Sequence, residues 1–259
     1  MNKNTEPLSS LKVRDLDINS IRAIEGISIN PLFCIEYGSR KKESDIDLFL
    51  VDNNIPIAKS IFSNNYDLMQ IEKRDFEYRF ANRDIELTEP ILTGKLLFGN
   101  QEFIDTAIKF LNNTSPTKGS FDYISKRSIE TFLQAESYYS FGKCEIFKES
   151  FMIGEDFKIL SSKIFDKKLE FDSLPLEKSL SILSYSLSYL SSLKRYQDGE
   201  GIVTFRNLLE NPRNDAENLL KDVRSYFKSA SKKKSQLSFQ MIDYYFDVSK
   251  NLLKKELLK

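Results

Sequence analysis

The chain has 259 residues, 41% hydrophobic and 29% charged, a balance that supplies a sizeable core and excludes a disordered or fibrous chain. Lys plus Arg is 38 and Asp plus Glu is 38, so no basic excess marks a phosphate-gripping binder, and nucleic acid is not an expected partner. Histidine is absent, which excludes Ser-His-Asp and Cys-His catalysis and His-ligated zinc, and leaves proton chemistry to carboxylate, Lys, Tyr, Cys or a metal-bound water.

The first fifteen residues contain no apolar core of a signal peptide. No apolar run approaches the roughly 20 residues of a membrane span, so the expectation is a cytoplasmic protein with no membrane partner. Asp17 to Ile27 predicts a short helix capped by Asp or Asn. Leu32 to Tyr37 predicts a buried strand that runs into Gly38-Ser39. After a charged turn, Arg40 to Ser44, a second strand is predicted from Asp45 to Val51. Pro56 to Ser63 predicts a helix, and Tyr66 to Ile71 and Phe76 to Leu87 predict extended segments. Glu102 to Leu111 is helical, with Phe103, Ile104, Ala107, Ile108 and Leu111 on one face. Cys34 and Cys144 stand far apart and outside any metal-ligand spacing, so both are expected as reduced thiols.

The polar stretch Asn112 to Gly119 reads as a linker. Beyond it the pattern is helical almost to the end: Tyr123 to Phe147, Asp156 to Phe165, Leu176 to Tyr196, Ala216 to Phe227 and Leu237 to Leu258. Leu180, Leu183, Leu187 and Leu190 recur at helical spacing through a serine-rich segment. The fold class is therefore α+β: a small mixed sheet with flanking helices over residues 1–115, then an antiparallel helical bundle over 120–259.

Chemistry concentrates in Tyr37 to Val51. Asp45 and Asp47 are two apart, so on a strand both carboxylates share one face, with Ile46, Leu48 and Leu50 on the other. Two carboxylates so close repel unless a cation sits between them, and Mg²⁺ prefers oxygen ligands. Gly38 lets the backbone approach a ligand, Ser39 adds a hydroxyl, and turn amides can cradle phosphate oxygens. Arg40, Lys41 and Lys42 add positive charge at the same end. Alone, an Asp-x-Asp pair is usually a solvated strand face and Gly-Ser a plain turn. The combination suits a metal-chelated polyphosphate.

Gly38-Ser39 followed by Ser44-Asp45-Ile46-Asp47-Leu48 resembles the signature of the polymerase-β-type nucleotidyltransferase superfamily, and is most similar to the small prokaryotic minimal and kanamycin-type members. The resemblance implies an enzyme that moves a nucleoside monophosphate from an NTP to a hydroxyl acceptor, with two Mg²⁺ ions. It implies nucleotide binding by Gly38, Ser39, Arg40 and Ser44, and metal binding by Asp45 and Asp47. A third carboxylate on a later strand completes the family's site. The strand expected around Asn82 to Thr88 offers Asp84 and Glu86 on one face, and both stay candidates. Glu89 to Gly99 resembles the family's stretch after that strand. Five residues separate Ser39 from Asp45, against eight or more in the family, and the glycine usual there is missing.

The helical half resembles the bundle that follows the catalytic domain in kanamycin-type enzymes, which implies a substrate-cleft wall or a homodimer surface. Without histidine it does not match the helical RNases that accompany some relatives. Tyr138, Tyr139, Tyr185, Tyr189 and Tyr196 suit core packing or an aromatic pocket, and Asp198 to Gly201 an ordinary turn or an acidic loop. Lys232 to Lys234 suit a solvated face or an anionic partner. The acceptor, a small molecule or a protein, stays open. The alternative function is a catalytically weak nucleotide-binding module, antitoxin-like or regulatory, in which the shortened loop has cost turnover.

Overall fold

The two apolar runs flanking the charged turn pair with each other. β1 (Pro31–Tyr37) and β2 (Ile46–Asp52) are antiparallel, with Cys34 opposite Leu50 and Tyr37 opposite Asp47. The structure is a computed structural model that describes residues 31–38, 46–53, 59–62, 66–141, 144–147, 152–153, 159–161, 164–169, 175–233 and 237–257. The helix expected over Asp17 to Ile27 lies outside these residues. The chain divides into two compact units, Met1–Ser115 and Pro116–Lys259.

In the first unit, β3 (Lys59–Phe62), β4 (Tyr66–Glu72) and β5 (Lys95–Gly99) complete a five-stranded sheet in the order β3-β4-β2-β1-β5. After β2 the chain skips one place, lays β3 at the edge, and returns to fill the gap with β4. β4 therefore runs parallel to β2, while the other pairings are antiparallel. The helix expected over Pro56 to Ser63 is overturned at 59–62, where Lys59 to Phe62 pair with β4 instead.

Three helices pack with this sheet: α1 (Lys73–Ala81), α2 (Ile85–Thr93) and α3 (Gln101–Asn113). The extended segment expected over Phe76 to Leu87 is a correction: it is α1, a turn and the start of α2. Phe76 and Phe80 are four apart, so a helix puts both rings on one side, where they stack at 5.2 Å between centroids. Phe76 and Phe103 meet Phe33 at 5.5 Å each, and Phe76 meets Phe49 at 6.0 Å. This aromatic cluster bonds the helices to one face of the sheet; burial of each such ring is worth about 2–3 kcal/mol. Arg83 stands at φ +61 in the turn, buried, and donates to the Leu111 carbonyl (3.0 Å) and to Thr114 Oγ1 (2.9 Å), satisfying the end of α3. Cys34 is free and buried on β1, and burial pushes its thiol up to about 12.

The second unit is mostly helical: α4 (Lys118–Phe141), α5 (Pro175–Gln197), α6 (Phe205–Glu210), α7 (Asp215–Lys233) and α8 (Phe239–Leu257). Two expectations fail between α4 and α5. The helix predicted to Phe147 stops at Phe141, and that over Asp156 to Phe165 is absent from its described residues. Four short strands stand there, β6 (Cys144–Phe147), β7 (Met152–Ile153), β8 (Ile159–Ser161) and β9 (Ile164–Leu169). β6 pairs with β9, in a register that sets Glu145 opposite Lys168, and β7 pairs with β8. Among the described residues, no helix is long and apolar enough to cross a membrane.

The α4–α5 seam is built from serines. Ser128 Oγ donates to the Ser186 carbonyl at 2.9 Å, and Ser186 Oγ returns a bond to the Ser128 carbonyl at 2.7 Å. Both are fully buried. Such reciprocity needs close backbones, which only small side chains allow. Ser186→Ala is expected to cost about 1 kcal/mol of stability, and Ser186→Leu about 2–4 kcal/mol through lost bonding plus overpacking, as read by urea unfolding. Across α4 and α8, Tyr139 stacks on Phe246 at 5.1 Å and donates to Asp243 Oδ1 at 2.5 Å. Desolvation, then the Asp243 bond and charge, raise its phenol from 10.0 to about 12. The neutral phenol is favoured in the fold, so its stabilisation is full below pH 10 and lost as pH rises towards about 12. Tyr139→Phe should flatten this alkaline loss in unfolding measured at pH 8 to 12.

Candidate functional site

β2 is buried along Leu48, Phe49, Leu50 and Val51, because it is paired on both edges and covered on both faces. Asp47, at its start, is only half-buried. The polar end of an apolar central strand is thus left partly accessible, next to the end of β1. The strand alternation puts Leu48 and Leu50 on the face opposite Asp47, in register with Glu36 and Cys34.

Asp47 lies directly against Gly38. Gly38 ends β1 with φ +82, and a Cβ built on it would stand 1.8 Å from Asp47 Oδ2 and 2.8 Å from Asp47 Cγ. The carboxylate occupies the space a side chain would fill. Asp45, Ser39, Arg40 and Ser44 lie outside the described residues.

The parallel neighbour of β2 adds a residue that the sequence reading did not select. β4 pairs with β2 so that Asp67 is the register partner of Asp47. Register partners of adjacent strands share a face and stand about 5 Å apart. Asp67 opens an apolar strand in the run Tyr66-Asp67-Leu68-Met69, a pattern visible in the sequence once β4 is known to neighbour β2. Among the described residues no three His, Cys, Asp or Glu side chains group around a metal position. Asp45 and the side chain of Asp67 are outside that set.

Asp84 and Glu86 are placed differently from expectation. They lie on no strand: Asp84 is the N-cap of α2 and Glu86 lies in its first turn. Asp84 Oδ1 accepts from the Glu86 amide at 3.0 Å, and Asp84 Oδ2 accepts from Arg79 Nε at 2.8 Å. Arg79 Nη2 donates to Glu86 Oε2 at 2.6 Å. Asp84 is wholly inaccessible to solvent. Its oxygens are committed to a helix cap and a guanidinium, so the pair clamps α1 to α2. The alternation of charged and apolar residues that suggested a strand is also what a capped first turn looks like.

The aromatic and acidic candidates of the second unit are structural. Tyr138, Tyr189 and Tyr196 are core residues, and Tyr185 lies exposed beside Phe205 at 5.9 Å. The Asp198 to Gly201 turn is fastened by Glu200, which accepts from Arg195 Nη1 at 3.2 Å and from Arg213. Arg195, buried, also makes a two-pronged pair with Glu217 at 2.8 and 2.7 Å. Those hydrogen bonds raise its already high pKa against the cost of burial.

No family model and no curated protein matches the chain. Among solved structures, it is similar to that of a nucleotidyltransferase-like protein from Exiguobacterium sibiricum, at 11% identity and a TM-score of 0.34, over 88% of this chain and 69% of that one.

Removing Arg79 leaves the Asp84 carboxylate buried without its cation. Arg79→Met is therefore expected to lower stability by about 3–5 kcal/mol, whereas Glu86→Gln, at a more exposed oxygen, should cost about 1 kcal/mol or less, both measured by urea unfolding.

Proposed function

We propose that the chain is an Mg²⁺-dependent nucleotidyltransferase that moves a nucleoside monophosphate from an NTP to a hydroxyl of a small molecule or a protein. The observation that carries this reading is the Asp47–Asp67 register at the open end of the central parallel pair, beside a glycine-ended β1. On this reading the motif around Asp45 and Asp47 would supply one strand of the site, and the register of Asp67 with Asp47 supports Asp67 as the third carboxylate.

The donor set fits a hard cation. It is all carboxylate oxygen, and the space over Gly38 is filled by a carboxylate rather than by an apolar side chain. Asp45, Asp47 and Asp67 would hold two Mg²⁺ ions, which when bound supply charge compensation for the triphosphate and the acceptor oxygen. Asp67 would accept the acceptor's proton. Ser39, Arg40 and Ser44 would orient the triphosphate by hydrogen bonds and charge. The acceptor oxygen forms a bond to the α-phosphorus as the bond to pyrophosphate breaks, and pyrophosphate leaves with that electron pair. The pairing of Asp84 and Glu86 with Arg79 supports Asp67 over either of them as the third carboxylate.

A second reading rests on one feature of the chain, the five residues between Ser39 and Asp45. A loop that short favours a module that binds nucleotide without turnover, with a regulatory or antitoxin-like role.

Incubation with Mg²⁺, each α-labelled NTP and a desalted bacterial extract tests both. Label transfer to a protein or small molecule is expected. Asp47→Ala and Asp67→Asn should each reduce it at least about 100-fold while the protein stays folded by circular dichroism. Glu86→Gln should retain most of it. Full transfer by folded Asp47→Ala refutes the assignment of the activity to this site, and NTP binding without transfer by the unaltered protein supports the module.

A further inference from the structure

Two separate demands meet at Gly38. Its φ of +82 favours glycine, although Asn enters the left-handed region at modest cost. The second demand is steric and applies to Asn as well. An L side chain would bring its Cβ within 1.8 Å of Asp47 Oδ2, 2.8 Å of Cγ and 3.2 Å of Cβ, all inside ordinary contact. Backbone atoms of other residues are not among these nearest neighbours, so the group that must yield is the Asp47 carboxylate itself. Tyr37, the residue before Gly38, is the register partner of Asp47, so the strand pairing holds both backbones in place while the carboxylate turns away.

We propose that Gly38 is a positioning residue whose missing side chain forms the seat of the Asp47 carboxylate. It acts through Asp47 and not only on a phosphate. The role in metal binding rests on the reading of Asp47 as a metal ligand, while the seat itself does not. A phosphate-contacting glycine would leave nucleotide-free metal affinity unchanged; a seat for the carboxylate would not.

The test uses the full chain in six forms: Gly, Ala or Asn at position 38, each with Asp or Ala at 47. Thermal unfolding without metal reads the seat. Gly38→Asn and Gly38→Ala are expected to lower Tm by about 2–4 °C more in the Asp47 background than in the Asp47→Ala background. Mn²⁺ binding without nucleotide, followed by the paramagnetic signal of free Mn²⁺, reads the consequence. Gly38→Asn is expected to weaken it at least about tenfold, the usual cost of losing a group that orients a ligand.

Equal losses of Tm in both backgrounds, or failure of every position-38 variant to fold whatever stands at 47, overturn the seat. Coupled losses with Mn²⁺ affinity unchanged in Gly38→Asn overturn the positioning role. Coupled losses with no Mn²⁺ bound by the unaltered protein uphold the seat and count instead against the metal reading of Asp47.

Discussion

Everything around the candidate site depends on β2 being paired on both edges. An antiparallel partner alone would give a hairpin with an open edge, and a two-stranded unit of that kind is marginal in water. The parallel partner β4 closes the second edge, buries Leu48 to Val51, and brings a distant stretch of chain into register with Asp47. A slip of one residue in that pairing would move Asp67 to the other face and expose the apolar set, so the core and the acidic end are specified by the same register.

The parts of this arrangement that are local were legible in the sequence. Leu32 to Tyr37 and Asp45 to Val51 alternate or run apolar over strand lengths, with a turn between them, and the leucine spacing of α5 is unmistakable. What was not legible depends on pairing across distance. Nothing in Tyr66 to Glu72 says which strand it will adjoin, so nothing local singles out Asp67. Asp84 misled for a different reason. A cap followed by Ile85, Glu86 and Leu87 has the period of a strand for four residues. The decisive partner, Arg79, lies on the preceding helix, and its double pairing cannot be read from the alternation. The segment between α4 and α5 failed because short strands carry too few residues to set their period apart from a helix turn.

Two arginines, one in each unit, tie elements together through paired carboxylates. Arg79 joins two helices through Asp84 and Glu86, and Arg195 joins the end of α5, the following turn and the start of α7 through Glu200 and Glu217. In each case a planar guanidinium meets two carboxylates, and its several fixed donors define the angle between the elements it joins. Acidic residues beside such an arginine are poor guides to catalysis. The informative carboxylate is Asp47, at a strand end with its oxygen over a glycine.

The serines of α5 carry a consequence for how this protein can diverge. Ser179, Ser184, Ser188, Ser191 and Ser192 are buried, and each gives its hydroxyl to a carbonyl three or four residues earlier in its own helix. A hydroxyl spent that way asks nothing of its surroundings. What the neighbouring helix meets is a side chain of fixed small volume, and hydropathy scales score it with the wrong sign. Over evolutionary time such a position can exchange among serine, alanine and cysteine with little penalty, while glycine weakens the helix and any branched or long residue is shut out. Relatives of this chain would then share a pattern of size along α5 with almost no shared identity, and a search that weighs residue type above volume would pass them by.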